Sequence, residues 1–507
     1  MSKLRCASVF SDHCVLQQGK PIRIWGSSPD NRTITVRLNN QMVQTTSHHG
    51  KWSVELPPMA AGGPYILEIF DGDKLAVNLE DIMIGEVWLA GGQSNMEYKL
   101  EQDADAKETF AQALKSKVRF FQVPQQAFKG EDFDRIEQDN HWMLPSDENL
   151  KIWSAVGFYF ADKLSQVLDV TVGIIGCNWG GTSACAWQDK DSLLSHKDTR
   201  IYWEEYEELI QRQNPEEYEK EREDYFAWQA DWQPRMDAFY AKNPTATWDE
   251  AQAVVGICRW PGPMGPKHEF RPCGLYETML QRVVPYTLGG VIYYQGESDD
   301  HRPYTYYHLF KNMIQVWRRD FQDMALPFLC VQLPIHHYLS DTVMDKWCPI
   351  RQAQMQLHRE GIVTGIAVAL DQGEYNNIHP LRKKEVGRRL ALQALFHVYQ
   401  TLPETEVYGP IFRKYDVKED QMILEFDYAE GGFHATTDTL TGFELAGKDG
   451  IFHPAEASIY GSTIVLTGPA VPVPKQARYF WTDYTDVILF GANGLPVAPF
   501  HTHLHYE

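Results

Sequence analysis

Through residues 1–80 apolar and polar positions alternate in short runs, "PIRIWGSS", "TITVRLNN", "KWSVELPP" and "YILEIFDGDKLAVNL", separated by turn signals. Alternation with a period of two predicts an antiparallel β module. From about residue 82 the rhythm changes. Apolar runs ("EVWLAGG", "VRFFQV", "VTVGIIG", "GGVIYYQ", "FLCVQLP", "GIAVALD") alternate with segments of helical period at 153–168, 305–319 and 381–397. Strand–helix alternation predicts a parallel α/β sheet. After about 405 the β patterning returns in "QMILEFDYAEGGFHATTDTL", "STIVLTG" and "DVILFGANG". The predicted organisation is an N-terminal β module (1–81), an α/β domain (82–405) and a C-terminal β module (406–507).

One interval breaks the α/β rhythm. Residues 190–262 are charged and aromatic, with helical spacing in "IYWEEYEELIQRQ" and "EEYEKEREDYFAWQADWQPRMDAFY". We read a helical insertion over the loop side of the sheet. It can serve as a packed hairpin with a solvated acidic face, or as a lid whose Trp and Tyr residues shape a cleft.

Composition narrows the function classes. At 507 residues the chain is long for one hydrophobic core, and 43% apolar content excludes a disordered low-complexity chain. A formal charge of −21 argues against nucleic acid or an anionic membrane as the main partner. No run approaches the roughly 18 apolar residues of a membrane span. The eight cysteines form no CxxC pair and read as reduced, mostly buried thiols. The opening "MSKLRCASVFSDHC" lacks the apolar core of a signal peptide, so a cytoplasmic location is expected.

Ligands of a parallel α/β sheet sit beyond the carboxyl ends of its strands, and four of these strands run into loops of unusual content. "EVWLA" leads into Gly91-Gly92-Gln93-Ser94-Asn95-Met96, and "VGIIG" into Cys177-Asn178-Trp179-Gly180-Gly181-Thr182-Ser183. "VIYY" leads into Gln295-Gly296-Glu297-Ser298-Asp299, and "GIAVAL" into Asp371 and then Asn376-Asn377-Ile378-His379-Pro380. Singly, Ser94 suits a helix N-cap, His379 a structural histidine and Glu297 a solvated acid. Together on one edge they are the inventory of acyl transfer. A serine needs a histidine to take its proton, an acid to orient that histidine, and N–H donors for the oxyanion. The local pattern is not the G-x-S-x-G elbow of α/β-hydrolases, because Met96 replaces the last glycine.

"GQSNM", "NWGGTSACAW", "YYQGESD" and "NNIHP" followed by "KKEVGRRLAL" resemble the sialate O-acetylesterase family, a branch of the SGNH (GDSL-type) hydrolases related to bacterial acetylxylan esterases. The resemblance runs from about Gly85 to Leu395. It implies a flavodoxin-like three-layer catalytic domain that removes O-acetyl groups from sugars with neither metal nor cofactor. By position it makes Ser94 the nucleophile, His379 the general base and Gly181 the oxyanion-hole glycine, and it sets Gln295 where SGNH enzymes carry an amide. The "QGE" glutamate of the acetylxylan-esterase relatives falls on Glu297, the favoured third triad member. Two positions depart from the pattern: Asn376, where many SGNH enzymes carry the acid, and Asn377, where the family often has Asp. Asp371 and Asp299 therefore stand as alternative acids.

The terminal "HTHLHY" would put His501, His503 and His505 on one face of any strand they occupied, a geometry open to Zn²⁺. No acid or cysteine pattern accompanies them, and no metal is assigned. The expected activity is a serine carbohydrate O-acetylesterase acting on acetylated mono- or oligosaccharides, of hemicellulose type or O-acetyl sialic acid. The oxyanion would rest on the Ser94 and Gly181 N–H groups and Gln295. A short-chain or aryl esterase and a catalytically silent sugar-binding protein are the alternatives.

Overall fold

The apolar runs of the central section become strands because both of their faces are covered. In the computed structural model, which describes residues 3–243, 246–337 and 342–506, six strands pair in parallel. They are β1 (Lys74–Gly92), β2 (Val118–Gln122), β3 (Val172–Asn178), β4 (Gly290–Tyr294), β5 (Phe328–Gln332) and β6 (Gly365–Val368), in the spatial order β2-β3-β1-β4-β5-β6. Every residue of β3, β4, β5 and β6 is buried, which explains why these runs do not alternate. The expected helices form at Ala155–Leu168, Tyr306–Asp320 and Lys384–His397. Their apolar stripes face the sheet.

β1 serves two sheets. Its first part pairs antiparallel with Gly62–Asp71 of the N-terminal module, and its second part pairs in parallel with β3 and β4. The expected division at 81/82 thus falls inside one continuous strand. The change of partners falls between Ile84, the last residue paired with Gly62–Asp71, and Glu86, the first paired with β3. Asp81, at φ +55°, lies at an irregularity in the antiparallel part, and its carboxylate takes His13 Nδ1 at 2.7 Å and Arg119 Nη2 at 3.0 Å. The remaining N-terminal strands pair antiparallel, except Val15–Gln17, which runs parallel to β1. The strands from Ile411 onward also pair antiparallel. The last of them, Phe500–His501, ends at His501, so the strand alternation does not extend to His503 or His505. His501 Nδ1 instead accepts the N–H groups of His503 and Leu504.

The insertion folds as helices, chiefly Lys197–Arg212, Pro215–Lys242 and Trp248–Val255. It carries a small core of its own, in which Trp232, Met236, Ala251 and Val255 pack together with Trp228 against them. Among the described residues, no helix is long and apolar enough to cross a membrane.

Candidate active site

The order of the parallel strands decides where a ligand can sit. From β1 the chain first crosses to β2 at one edge and returns to β3 beside β1, then builds outward on the other side through β4, β5 and β6. Loops from β1, β3 and β4 therefore leave in diverging directions and open a crevice over the carboxyl end of β1. At that end a Cβ on Gly92 (φ +133°) would lie 2.1 Å from the Tyr294 carbonyl oxygen, so only glycine lets β1 and β4 close up there. The next residues are Gln93, whose N–H donates to the Tyr294 carbonyl at 3.1 Å, and Ser94, which opens a one-turn helix, Ser94–Glu97. Ser94 is half-buried and faces a cleft of about 1450 Å³.

Glycines form the opposing edge. The Gly180 N–H donates to Glu97 Oε2 at 2.6 Å, fixing the β3 loop against the nucleophile loop. Gly181, at φ +75°, has no partner for its N–H among the described residues, and it lines the same cleft. A Cβ on Gly181 would lie 2.6 Å from Phe270 Cζ and 2.7 Å from Trp260 Cζ2, so the two rings cover this glycine closely. Trp260 belongs to the insertion, as do the cleft-lining Tyr202, Tyr240 and Trp248. Of the two roles open to the insertion, shaping the cleft is the one its position fits.

His379 and Glu297 complete the lining. The His379 N–H donates to Asn377 Oδ1 at 3.1 Å, and Asn377 Nδ2 to Glu374 Oε2 at 2.8 Å, which holds the loop. Burial, with the nearby Lys383 cation, pushes the His379 imidazole down to about 4, so it stands unprotonated at neutral pH and ready to accept a proton. Glu297 is buried. Its Oε1 accepts from Asn95 Nδ2 at 2.6 Å, whereas Oε2 has no partner. Burial raises its pKa, opposed first by the Asn95 bond. Among the described residues no hydrogen bond joins the His379 ring to Glu297, Asp299 or Asp371.

The two alternative acids are engaged elsewhere. Asp371 makes a two-pronged ion pair with Arg389, at 2.6 and 2.8 Å. Asp299 accepts from the Ser183 hydroxyl, the Ala184 N–H and Gln295 Nε2, and so ties the β3 and β4 loops together. The structure does not bring Gln295 to the oxyanion side. It is fully buried, Nε2 donates to Asp299 and to the Thr182 carbonyl, and Oε1 accepts the Tyr306 hydroxyl. No donor is left to face the cleft.

Three residues were missed by sequence reasoning. Gln93 lines the cleft with Oε1 held by the Gly296 and Ser298 N–H groups, at 3.5 and 3.2 Å, and its amide N–H groups have no partner among the described residues. Asn95 and Lys383 lie behind the site, where Lys383 Nζ donates to Asn95 Oδ1 at 2.6 Å. All three stand within or beside the quoted motifs, which was the available signal.

Residues 254–395, which hold the Glu297 and His379 loops, match a family model described as carbohydrate esterase, sialic acid-specific acetylesterase. The sialate O-acetylesterase of Mus musculus is 27% identical over 98% of this chain and 94% of its own length. That of Homo sapiens is 26% identical over 84% of this chain and 76% of its own. The chain is a relative of the sialate O-acetylesterases. The crystal structure of a carbohydrate acetylesterase from Xanthomonas citri superposes with a TM-score of 0.76 at 28% identity, covering 98% of this chain and 99% of that one. With the similarity extending through both β modules, the chain is a carboxylic ester hydrolase of this kind.

Proposed function

We propose that the chain is a serine carbohydrate O-acetylesterase built on a flavodoxin-like SGNH core. The observation that carries the reading is that Ser94, Gly181, Glu297 and His379, from four separate loops, line one cleft over the end of β1. Ser94 Oγ attacks the acetyl carbonyl carbon as His379 takes its proton, and the oxyanion is met by the Ser94 and Gly181 N–H groups, with the Gln93 amide beside them. Collapse of the tetrahedral adduct expels the sugar oxygen, which recovers the proton from His379. Water, activated by the same imidazole, then releases acetate and restores the serine. Glu297 is assigned as the acid through Oε2, its buried and unpartnered oxygen. Its hydrogen bond to the His379 ring would form as the site fills, since catalytic hydrogen bonds are often made only in the substrate complex.

The cleft's charge bears on the sugar. Its acids are Glu205, Glu297, Asp300 and Glu374, and its one described arginine, Arg302, already pairs with Glu205 at 2.5 Å. A substrate carboxylate would meet net negative charge there. The aromatic faces of Tyr202, Tyr240, Trp248 and Trp260 suit uncharged rings. We therefore favour neutral acetylated oligosaccharides over O-acetyl sialic acid. Acetate release across a panel of acetylated glycans and O-acetyl sialic acids tests this. Turnover confined to the sialic acids would reverse the substrate preference, and none on any ester would end the esterase reading.

A further inference from the structure

Asn95 follows the nucleophile directly and is completely buried. Its Nδ2 donates to Glu297 Oε1 at 2.6 Å and to the Ile378 carbonyl, the residue before His379, at 3.0 Å. Its Oδ1 accepts from Lys383 Nζ at 2.6 Å. One amide therefore joins the loop of the serine, the loop of the acid and the loop of the histidine. It can do so in one orientation only. A flipped amide would set its NH₂ against the ammonium and its oxygen against the carboxylate.

Lys383 enforces that orientation. Its side chain is 1% exposed, lies 4.7 Å over the Tyr98 ring and 5.9 Å from the Tyr294 ring, and does not reach the cleft. A buried ammonium persists only where charge compensates it. Here Glu297, Glu374 and Asp103 face it, and Asp103 Oδ2 also accepts the Lys383 backbone N–H at 2.7 Å. His379 is the nearby basic group, and Lys383 contributes to its lowered pKa.

Resting on the serine-esterase reading above, we infer that Lys383 is a positioning residue of the esterase site, its ammonium locking Asn95 so that the amide holds the Glu297 carboxylate and the peptide before His379 in register with Ser94. The same ammonium is the counter-charge of Glu297 across the Asn95 amide. Burial brings the Lys383 pKa down to about 7, while Tyr98 is pushed up to about 12 and Tyr294 well above its usual value. Loss of the Lys383 proton should thus set the alkaline limb of kcat/KM.

The test compares wild type with Lys383→Met using p-nitrophenyl acetate. The expected result is a kcat lower by on the order of 10²-fold, the scale of a misplaced catalytic group, with KM within about threefold and the alkaline limb gone. If the methionine variant does not fold, Lys383→Gln replaces it. The glutamine can still donate to Asn95 but carries no charge, and it should also lose the limb. Wild-type kcat, or an alkaline limb unchanged in the variant, overturns the inference. A serine-directed fluorophosphonate separates the two levels. If wild type is labelled at Ser94 while the variant behaves as wild type, only the role of Lys383 is wrong. If Ser94 is not labelled and Ser94→Ala remains active, the serine reading falls and takes this inference with it.

Discussion

Replacing Gly181 by alanine tests the oxyanion hole. Gly181 sits at φ +75°, a left-handed conformation that costs a residue bearing a Cβ about 1–2 kcal/mol. The new methyl would also stand 2.6 Å from Phe270 Cζ and 2.7 Å from Trp260 Cζ2, about 0.8 Å inside the 3.4 Å at which ordinary contact begins. The Phe270 and Trp260 rings pack edge to face at 5.3 Å and cannot both withdraw without losing that contact. The loop would relax instead by rotating the Gly181 peptide, which carries its N–H away from the cleft. Two separable effects follow. Stability should fall by about 2–5 kcal/mol, the sum of backbone strain and overpacking, read from urea denaturation. Turnover of p-nitrophenyl acetate should fall by about 10²–10³ in kcat, the cost of one oxyanion donor. Adding Phe270→Leu should recover part of the stability and little of the kcat, since it relieves the clash but not the φ. A folded Gly181→Ala enzyme with kcat within about threefold of wild type would refute the placement of this N–H at the oxyanion.

Ser94→Ala should leave the fold intact and lower kcat by about 10⁴–10⁶, with any fluorophosphonate adduct of the wild type mapped to the Ser94 peptide. Glu297→Gln should cost up to roughly 10⁴ in kcat, because an amide cannot stabilise an imidazolium; a loss under tenfold would remove Glu297 from the triad. Asp371→Asn should instead be destabilising, by up to about 3–5 kcal/mol, since it breaks the largely buried pair with Arg389, and should spare the kcat of the folded fraction. Trp260→Ala should raise KM for acetylated oligosaccharides about tenfold, the value of one stacked ring, yet leave KM for p-nitrophenyl acetate nearly unchanged. Equal effects on both substrates would show that the indole acts on the acyl side.

Much of this protein is local and therefore legible in its sequence. The solidly apolar runs became strands β1 to β6, and the 3.6-residue stripes became the helices over them, because burial on two faces or on one is written directly into residue order. The loops after those strands line one cleft for the same reason: chain direction in a parallel sheet sends them all to one edge. What the side chains do on arrival was decided by tertiary structure. Glu297 meets Asn95, 202 residues away, and Lys383 meets the same amide across 288 residues, distances over which no sequence period carries information. Gln295 stands in the expected loop, yet it turns inward because Asp299, Thr182 and Tyr306 saturate its amide in the interior, where an unpaired group would be costly. Trp260 lies 166 positions after Ser94 in the sequence, yet it reaches the glycine edge of the cleft because the insertion, anchored in the main core by Leu193 and Tyr202, folds back over Gly181. Residue order determined which groups come to the crevice. Partner choice in a crowded interior, where each buried donor and charge must be satisfied by whatever packs beside it, determined which of them remain free to act on a substrate.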